Sequence, residues 1–413
     1  MAATTQADTI TLRLASGDGP VTRQVLRAPP RDATADEIPM IDISPLLPAS
    51  NAPSLEARLA VAKQVRAAAT NTGFFYIANH GIPESTTAAA HAACLDFFRQ
   101  DPAVKLEARA TQSAYFNGYK PPNTQRINPF ERVDVRESFS WTYDPRLDPA
   151  AIAAAAAQGD GTNVLDSIPE GTRKFLRVEP DGPSGSEDDR FPWSMTKRTA
   201  PHFQPAVLAY WRSCLVLARA LVRAFALSLD LDEGFFDDRF TYPDASLALN
   251  YYPPLPQQAA HTSGSSASSA GQDDAAAVSI GSHTDFQLFT ILWQDTVGGL
   301  QVLNRQGQWI HARPIPGTFV VNIADYLQRI TNGRYQSTIH KAQNLSGVER
   351  VSMPFFFGFN LNESCGVLEN CVGEDGVRKY DEISCLEWVK RRVKAMHDTK
   401  GAEAEAEEKA DQQ

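Results

Sequence analysis

Residues 281–289 read GSHTDFQLF and place His283 two positions before Asp285. In a β-strand the side chains of residues i and i+2 point to the same face. A strand at this point would therefore hold an imidazole and a carboxylate side by side, while Thr284 and Leu288 face the opposite side. An imidazole and a carboxylate are two of the three ligands of a 2-His-1-carboxylate iron site. Because an H-x-D pair also arises by chance, a metal site requires a third ligand elsewhere in the chain.

His340 is the candidate for that third ligand. It lies in QSTIHKA, residues 336–342, which resembles a strand and follows a short helix predicted over residues 325–330. A sheet that folds back over this separation can bring His340 to the H-x-D pair. The alternative is an ordinary core or surface histidine, which is the more frequent role of a single histidine.

Arg350 and Ser352 form a second pair that is in phase on a predicted strand, and apolar MPFFF follows them at residues 353–357. A guanidinium beside a hydroxyl in an apolar pocket suits the two oxygens of a carboxylate. Alternatively, Arg350 is an edge-strand arginine that pairs with an acid such as Glu349 or Glu369.

Asn250 and Tyr252 form a third pair, in LNYYPP at residues 249–254. On a strand they share one face, and each can donate a hydrogen bond to a ligand. The alternative is a plain strand that ends in a proline turn. The four signals follow one another as N-x-Y-P, H-x-D, His and R-x-S, and it is this order and spacing together that indicate a common site.

In this order the sequence resembles the isopenicillin N synthase-like branch of the iron(II)/2-oxoglutarate-dependent dioxygenases. The C-terminal part of the resemblance runs over residues 245–362 and includes VGGLQV at 297–302. The N-terminal part covers residues 38–140 and includes GFFY at 73–76 and NHGIP at 79–83. His80 belongs to this last motif, where the resemblance implies a structural role.

The resemblance implies an α+β fold with a double-stranded β-helix (jelly roll) core and helices packed outside it. It implies Fe(II) as cofactor, with 2-oxoglutarate and O₂ as co-substrates, and the hydroxylation, desaturation or cyclisation of a small organic molecule in specialised (secondary) metabolism. By position, the implied iron ligands and catalytic residues are His283, Asp285 and His340. The implied 2-oxoglutarate-binding residues are Arg350 and Ser352, assisted by Tyr252 and Asn250.

Two other functions are compatible with the same residues. An iron oxidase of the same fold would not use 2-oxoglutarate, because the R-x-S pair could bind a substrate carboxylate instead. A jelly-roll protein that binds a small molecule without turnover is the second alternative, although a receptor has no need of three metal ligands. The substrate contacts are equally open, because the aromatic candidates could all be core residues. These candidates are Phe116, Phe139, Trp141, Tyr143 and Phe359.

The pattern of the chain predicts four regions. Residues 1–36 are expected to be a flexible leader, and residues 37–200 an N-terminal dioxygenase region with a long surface excursion at 144–200. Residues 201–400 are expected to form the catalytic jelly roll, with a flexible insertion at 257–277, and residues 401–413 a disordered tail. Helical spacing of apolar residues predicts one long helix over 204–229, packed on the barrel.

Composition narrows the class of protein further. The 413 residues are 43% hydrophobic and carry a formal net charge of −10, which argues against nucleic acid or an anionic membrane as partner. Five cysteines without a CxxC motif indicate neither a disulfide framework nor a zinc ribbon. The first 30 residues show no secretory pattern, and Arg219 and Arg223 interrupt the longest apolar run. We therefore expect a cytoplasmic monomer that acts on a small molecule.

Overall fold

The structure is a computed structural model that describes residues 8–47, 53–112, 117–158, 163–176, 193–254 and 279–397. The strands in these residues are β1 (Thr9–Leu14), β2 (Val21–Leu26), β3 (Arg31–Asp32), β4 (Met40–Asp42), β5 (Phe74–Ala78), β6 (Gly118–Lys120), β7 (Glu137–Trp141), β8 (Asp244–Tyr252), β9 (Ile280–His283), β10 (Phe289–Gln294), β11 (Leu300–Leu303), β12 (Trp309–His311), β13 (Phe319–Ile323), β14 (His340–Ala342), β15 (Arg350–Gly358), β16 (Ser364–Cys365) and β17 (Ile383–Ser384). The α-helices are α1 (Leu55–Asn71), α2 (Glu84–Phe98), α3 (Pro102–Leu106), α4 (Pro149–Ala156), α5 (Glu170–Leu176), α6 (Trp193–Thr199), α7 (Phe203–Ser228), α8 (Asp325–Ile330) and α9 (Cys385–His397).

Two β-sheets form the centre of the fold. The larger has the strand order β4-β5-β13-β10-β15-β8-β7-β6, and the smaller has the order β3-β12-β11-β14-β9. Apart from the pairs β4–β5 and β3–β12, neighbouring strands in both sheets are antiparallel. A buried apolar cluster that includes Phe74 and Val320 of the larger sheet and Val302 and Ile310 of the smaller packs between them. This is the jelly-roll core, and the prediction of the fold class is confirmed.

The register of the larger sheet sets polar residues side by side across several strands. Ser352 of β15 lies opposite Asn250 of β8, Asn250 lies opposite Ser138 of β7, and Ser138 lies opposite Lys120 of β6. Neighbouring strands are about 4.8 Å apart, and residues in one row share a face of the sheet. We call these four residues the polar row.

Helix α7 covers the outer face of the larger sheet, close to the predicted bounds 204–229. The Tyr210 hydroxyl donates to the Met353 carbonyl at 2.9 Å, and the Trp211 indole donates to the Ala245 carbonyl at 3.1 Å. By length and composition this is the one helix of the described residues that could cross a membrane, but 56% of its apolar window is buried in the protein. Its polar side is also paired, since Arg219 holds the Asp148 carboxylate at 2.7 and 2.8 Å.

The flexible leader predicted for residues 1–36 is wrong for the described part of that range. Strands β1 and β2 form an antiparallel hairpin, and β3 adds to the edge of the smaller sheet. The alternation in TITLRL puts Ile10, Leu12 and Leu14 on one face of β1. That face packs against a cluster with Leu303 and Trp309. The alternation of apolar and polar residues is typical of a half-buried strand, and burial of the apolar face stabilises the hairpin.

The excursion predicted at 144–200 is packed at both ends rather than free on the surface. Asp148 is fully buried in its ion pair with α7, and Trp193 packs in the core beside Phe139 and Phe203. None of the described residues of this segment lines the central cavity. The insertion predicted at 257–277 and the tail predicted at 401–413 lie outside the described residues.

Substitution of Gly73, between α1 and β5, tests the close contact of this turn with the Gln336 carbonyl. The φ of +69° at Gly73 suits glycine, and a Cβ there would lie 1.9 Å from the Gln336 carbonyl oxygen. Gly317 has nearly the same φ, +72°, but a Cβ there meets no atom within 4 Å. Gly317→Ala should therefore lower the free energy of unfolding by about 1–2 kcal/mol through backbone strain alone. Gly73→Ala should cost about 2 kcal/mol or more beyond that, measured by urea denaturation, and equal losses would contradict the contact.

Candidate active site

His283, Asp285 and His340 converge at one end of the space between the sheets. His283 of β9 and His340 of β14 lie directly opposite each other in the register, with ring centroids 4.3 Å apart. The Asp285 Oδ1 atom lies 3.7 Å from Nε2 of His283 and 3.8 Å from Nε2 of His340. Because all three ligand atoms lie within 4.8 Å of one another, a single cation can contact all of them.

A hydrogen bond at Nδ1 of each histidine orients the Nε2 atom of that ring toward the proposed metal position. Nδ1 of His283 lies 2.8 Å from the Gly281 carbonyl, and Nδ1 of His340 lies 3.0 Å from the Thr338 carbonyl. A carbonyl only accepts, so each Nδ1 carries a proton, and in the neutral tautomer of each ring Nε2 is the atom with the lone pair. This arrangement of metal-ligating histidines is common, because the second hydrogen bond fixes both the tautomer and the ring.

The two oxygens of Asp285 have different surroundings. Oδ2 accepts from the Thr290 hydroxyl at 2.5 Å and from the Asn322 amide at 2.7 Å. Oδ1 faces the two imidazoles. Two neutral imidazoles and one carboxylate that meet from one side are the donor set of a non-haem Fe(II) centre, which leaves positions for small molecules.

The electrostatics of the cluster favour the deprotonated forms of His283 and Asp285. Burial lowers the pKa of His283 to about 3, and the neighbouring His340 adds to the effect. Burial alone would raise the pKa of Asp285, but the two imidazoles and the Asn322 and Thr290 donors outweigh it and lower that pKa. A metal binds the deprotonated forms, so the site needs no proton release from His283 or Asp285 near neutral pH.

The local geometry of the H-x-D segment differs from the prediction. Strand β9 ends at His283, and Asp285 lies in the bend that follows. The chain leaves the sheet here because the Asp285 carbonyl accepts from the backbone N–H of Asp325, at the start of α8. The two side chains still meet, but through this bend rather than through strand alternation.

Arg392, a buried arginine of α9, contacts the same bend. The Arg392 guanidinium lies 3.0 Å from the Asp325 carboxylate and donates to the carbonyl and hydroxyl oxygens of Thr284. It also donates to the Ala15 carbonyl after β1. Burial raises the pKa of Asp325, and the Arg392 charge opposes that rise. Sequence reasoning missed this residue, which lies on the buried side of α9.

Arg350 and Ser352 lie together on β15, in the same cavity as the three ligands. Arg350 is 1% exposed, and its guanidinium lies 4.6 Å from the Tyr252 ring centroid. It donates to Gln294 at 3.2 Å, whereas its Nε and Nη1 atoms are buried without a hydrogen-bond partner among the described residues. The Ser352 hydroxyl lies 3.3 Å from the Tyr252 hydroxyl. Buried donors without partners require an acceptor, and a carboxylate supplies it.

The acids that were the alternative partners of Arg350 bind other groups. Glu349 binds Arg99, and Glu369 binds Arg378 at 2.5 Å. Asn250 lies on the cavity face of β8 as predicted, and its side-chain oxygen accepts from Arg136 at 2.5 Å. That bond turns the Asn250 amide donor away from Arg136. Sequence reasoning missed Arg136, which comes directly before β7.

The cavity that joins these groups has a volume of about 660 Å³. Of the aromatic residues suggested as substrate contacts, Trp141 and Tyr143 border it, whereas Phe139 and Phe359 are core residues that do not. Phe116 lies outside the described residues. His80 packs edge-to-face on Phe319 at 4.5 Å, and its Nδ1 accepts from the Ile82 N–H, a structural arrangement.

Comparison with known proteins identifies the class. Residues 243–359 match the family model described as the 2OG-Fe(II) oxygenase superfamily, and residues 38–162 match the model for the non-haem dioxygenase N-terminal region in morphine synthesis. The chain is 53% identical to the 2-oxoglutarate-Fe(II) type oxidoreductase ppzC of Metarhizium majus, over 96% of this chain and 97% of the relative. It is 30% identical to the 2-oxoglutarate-dependent dioxygenase citB of Monascus ruber, over 79% and 85% of the two chains.

Solved structures agree on the fold. The crystal structure of a rice dioxygenase for auxin oxidation superposes with a TM-score of 0.58 at 22% identity, covering 87% of this chain and 95% of that chain. A full-length Neurospora crassa protein crystallised with alpha-KG and 5-formyluracil superposes with a TM-score of 0.64 at 23% identity, covering 89% and 100% of the two chains. The family-model matches and the 53% identity to the Metarhizium majus relative show that the protein belongs to the 2OG-Fe(II) oxygenase superfamily. It is an Fe(II)- and 2-oxoglutarate-dependent dioxygenase with fungal relatives of the same class, which confirms the class predicted from the sequence.

Thr290 provides a test of how Asp285 is oriented. Thr290→Val keeps the shape of the side chain but removes the donor to Oδ2, so Fe(II) affinity should fall about 10-fold or more. Competition with a chromophoric chelator under anaerobic conditions measures the affinity. Thr318→Val is the matched control, because that hydroxyl donates to the Ile315 carbonyl and does not line the cavity. Equal Fe(II) affinity in both variants would rule out the orienting role.

Proposed function

We propose that His283, Asp285 and His340 bind the catalytic Fe(II), and that Arg350 and Ser352 bind the distal carboxylate of 2-oxoglutarate. In this proposal the Tyr252 hydroxyl and the Asn250 amide assist the second group; all seven side chains line one cavity. The observation that carries the proposal is the buried Arg350 guanidinium, whose Nε and Nη1 lack partners among the described residues beside three convergent metal ligands.

Each group has a distinct task in this proposal. When bound, Fe(II) and 2-oxoglutarate supply the oxidising chemistry with O₂. The three ligands approach the metal from one side, and the hydrogen bonds behind them hold their tautomers and orientation. Arg350 neutralises one charge of the co-substrate and, with Ser352, fixes its direction toward the metal.

We further propose that the substrate is a small molecule and that the protein acts as a cytoplasmic monomer, without nucleic acid or membrane as partner. The cavity of about 660 Å³ is in the range of small-molecule sites. The net charge of −10 is unfavourable for polyanionic partners. All five cysteines are buried and unbridged, which suits a reducing compartment.

The metal assignment is tested by anaerobic addition of Fe(II) and 2-oxoglutarate to the pure protein. We expect a visible charge-transfer band that is absent in His340→Ala, because that variant lacks a ligand. His311→Ala is the control, since His311 lies on β12 and does not line the cavity. Full iron affinity in His283→Ala, Asp285→Ala and His340→Ala would exclude the site.

The co-substrate assignment is tested with Arg350→Gln. Loss of a charged hydrogen-bond partner should weaken 2-oxoglutarate binding roughly 10- to 100-fold, while iron stays bound. Titration of the anaerobic Fe(II) protein measures this, and Arg99→Gln removes a nearby exposed arginine as control. Unchanged 2-oxoglutarate affinity together with turnover that releases no succinate would favour an oxidase that does not use this co-substrate.

A further inference from the structure

Two cationic side chains in the cavity are not among the groups assigned to iron and 2-oxoglutarate. Lys120, at the end of β6, is half-buried, lines the cavity, and makes no hydrogen bond or ion pair with the described residues. Arg136, directly before β7, is 8% exposed; it donates to Asn250, and its Nε lies 3.6 Å from the Asp134 carboxylate without a hydrogen bond.

Comparison with Lys105, another lysine of the same region, shows that Lys120 lacks a partner among the described residues. Lys105 is buried, and its ammonium is paired with Glu137 at 2.5 Å and donates to the Phe98 carbonyl. A charge that is partly removed from water without a partner is unfavourable, and a ligand of opposite charge would supply the partner. Burial, followed by the charge of Arg136, lowers the pKa of Lys120 to about 8. Lys120 is therefore still mainly protonated at neutral pH.

The nearby acids are committed to other groups. Asp134 lies 3.6 Å from Arg136, and its other oxygen accepts from the Gly281 N–H. Glu131 accepts from the Ser282 N–H at 2.6 Å. Asp244, which also lines the cavity, accepts from Gln287. Among the described residues, the Lys120 ammonium therefore faces the cavity without a neutralising carboxylate.

The polar row separates Lys120 from the co-substrate residues. Lys120 lies two strands beyond Asn250 and three beyond Ser352, which places the backbones of Lys120 and Ser352 about 14 Å apart at about 4.8 Å per strand. That distance is too long for Lys120 to share the carboxylate held at Ser352. The ammonium belongs to the side of the cavity beyond β8.

An apolar surface from α9 completes this part of the cavity. Leu386, Val389, Val393 and Met396 all line the cavity, whereas the buried side of the helix is formed by other residues. Val393 is 39% exposed. This apolar stripe of α9 therefore faces the cavity instead of the core. A molecule that contacts these side chains as well as Lys120 must be charged at one end and apolar at the other.

We propose that the substrate is a small organic acid, whose carboxylate binds Lys120 and Arg136 and whose apolar body packs on α9. This inference rests on the proposed function, because it identifies the class of molecule to be oxidised. A carboxylate would accept charge-assisted hydrogen bonds from the Lys120 ammonium and would be attracted by the positive charge of Arg136 beside it.

Matched acids and amides test the proposal with the Fe(II)- and 2-oxoglutarate-loaded protein under anaerobic conditions. The probes are 3-methylbutanoate, cyclohexanecarboxylate and 3-phenylpropanoate, each with its primary carboxamide. Binding is read from the perturbation of the charge-transfer band. At least one acid should bind about 10-fold or more tightly than its amide. If every amide binds as well as its acid, or if none of the probes binds, the proposal is overturned.

Lys120→Met assigns the effect to the lysine. The acid preference should disappear in Lys120→Met and persist in Lys120→Arg and in Lys63→Met, a control at an exposed position of α1. The melting temperature of unliganded Lys120→Met should not fall below that of the wild type, because the lysine removed is half-buried and has no partner to lose. An acid preference that survives in Lys120→Met would overturn the proposal.

The two levels of inference fail in different ways. If wild-type protein shows no charge-transfer band with Fe(II) and 2-oxoglutarate, the proposed iron and co-substrate site is wrong. If the band forms but acids show no advantage, only the substrate class is wrong. If Lys120→Met loses 2-oxoglutarate affinity as strongly as acid affinity, the cationic pair serves the co-substrate, and the proposal is overturned.

Discussion

The site depends on the direct pairing of β9 with β14, which sets His283 opposite His340. Two imidazoles can share a cation only if each aims an unprotonated ring nitrogen at it, and the carbonyls at Gly281 and Thr338 make Nε2 that atom in both rings by occupying Nδ1. The strands bring the rings together, and the main chain decides which atom each ring offers. The metal geometry is thus fixed largely by the backbone before any ion is present.

The residues of the site could be predicted from the sequence far better than their local geometry. The order of the four motifs indicated the correct neighbours, and alternation on β8 and β15 placed Asn250, Tyr252, Arg350 and Ser352 on one face. Strand alternation was the wrong reason for expecting Asp285 beside His283, because strand β9 ends at His283 and Asp285 lies beyond it. The backbone bond from Asp325 that bends the chain is a long-range contact that no local pattern reveals.

The residues that were missed share a physical reason. Arg136, Lys120 and Arg392 each derive their role from partners, or from the lack of them, on distant segments. A buried cation looks like a surface cation in the sequence, because charge and length do not indicate burial. The β1–β2 hairpin is different, since the alternation of apolar and polar residues in β1 is visible in the sequence, although residues 1–36 were expected to be a flexible leader.

Arg392 connects the first strand and the last helix of the described residues to the proposed metal site. One guanidinium contacts the carbonyl after β1, the residue between two proposed metal ligands, and the carboxylate that begins α8. Arg392, together with the Trp388 indole that donates to the Phe286 carbonyl, therefore joins the first strand and the last helix to the bend that holds Asp285. A substitution in β1 or on the buried side of α9 can thus displace a proposed metal ligand without touching it, so loss of iron affinity in such a variant does not by itself identify a ligand.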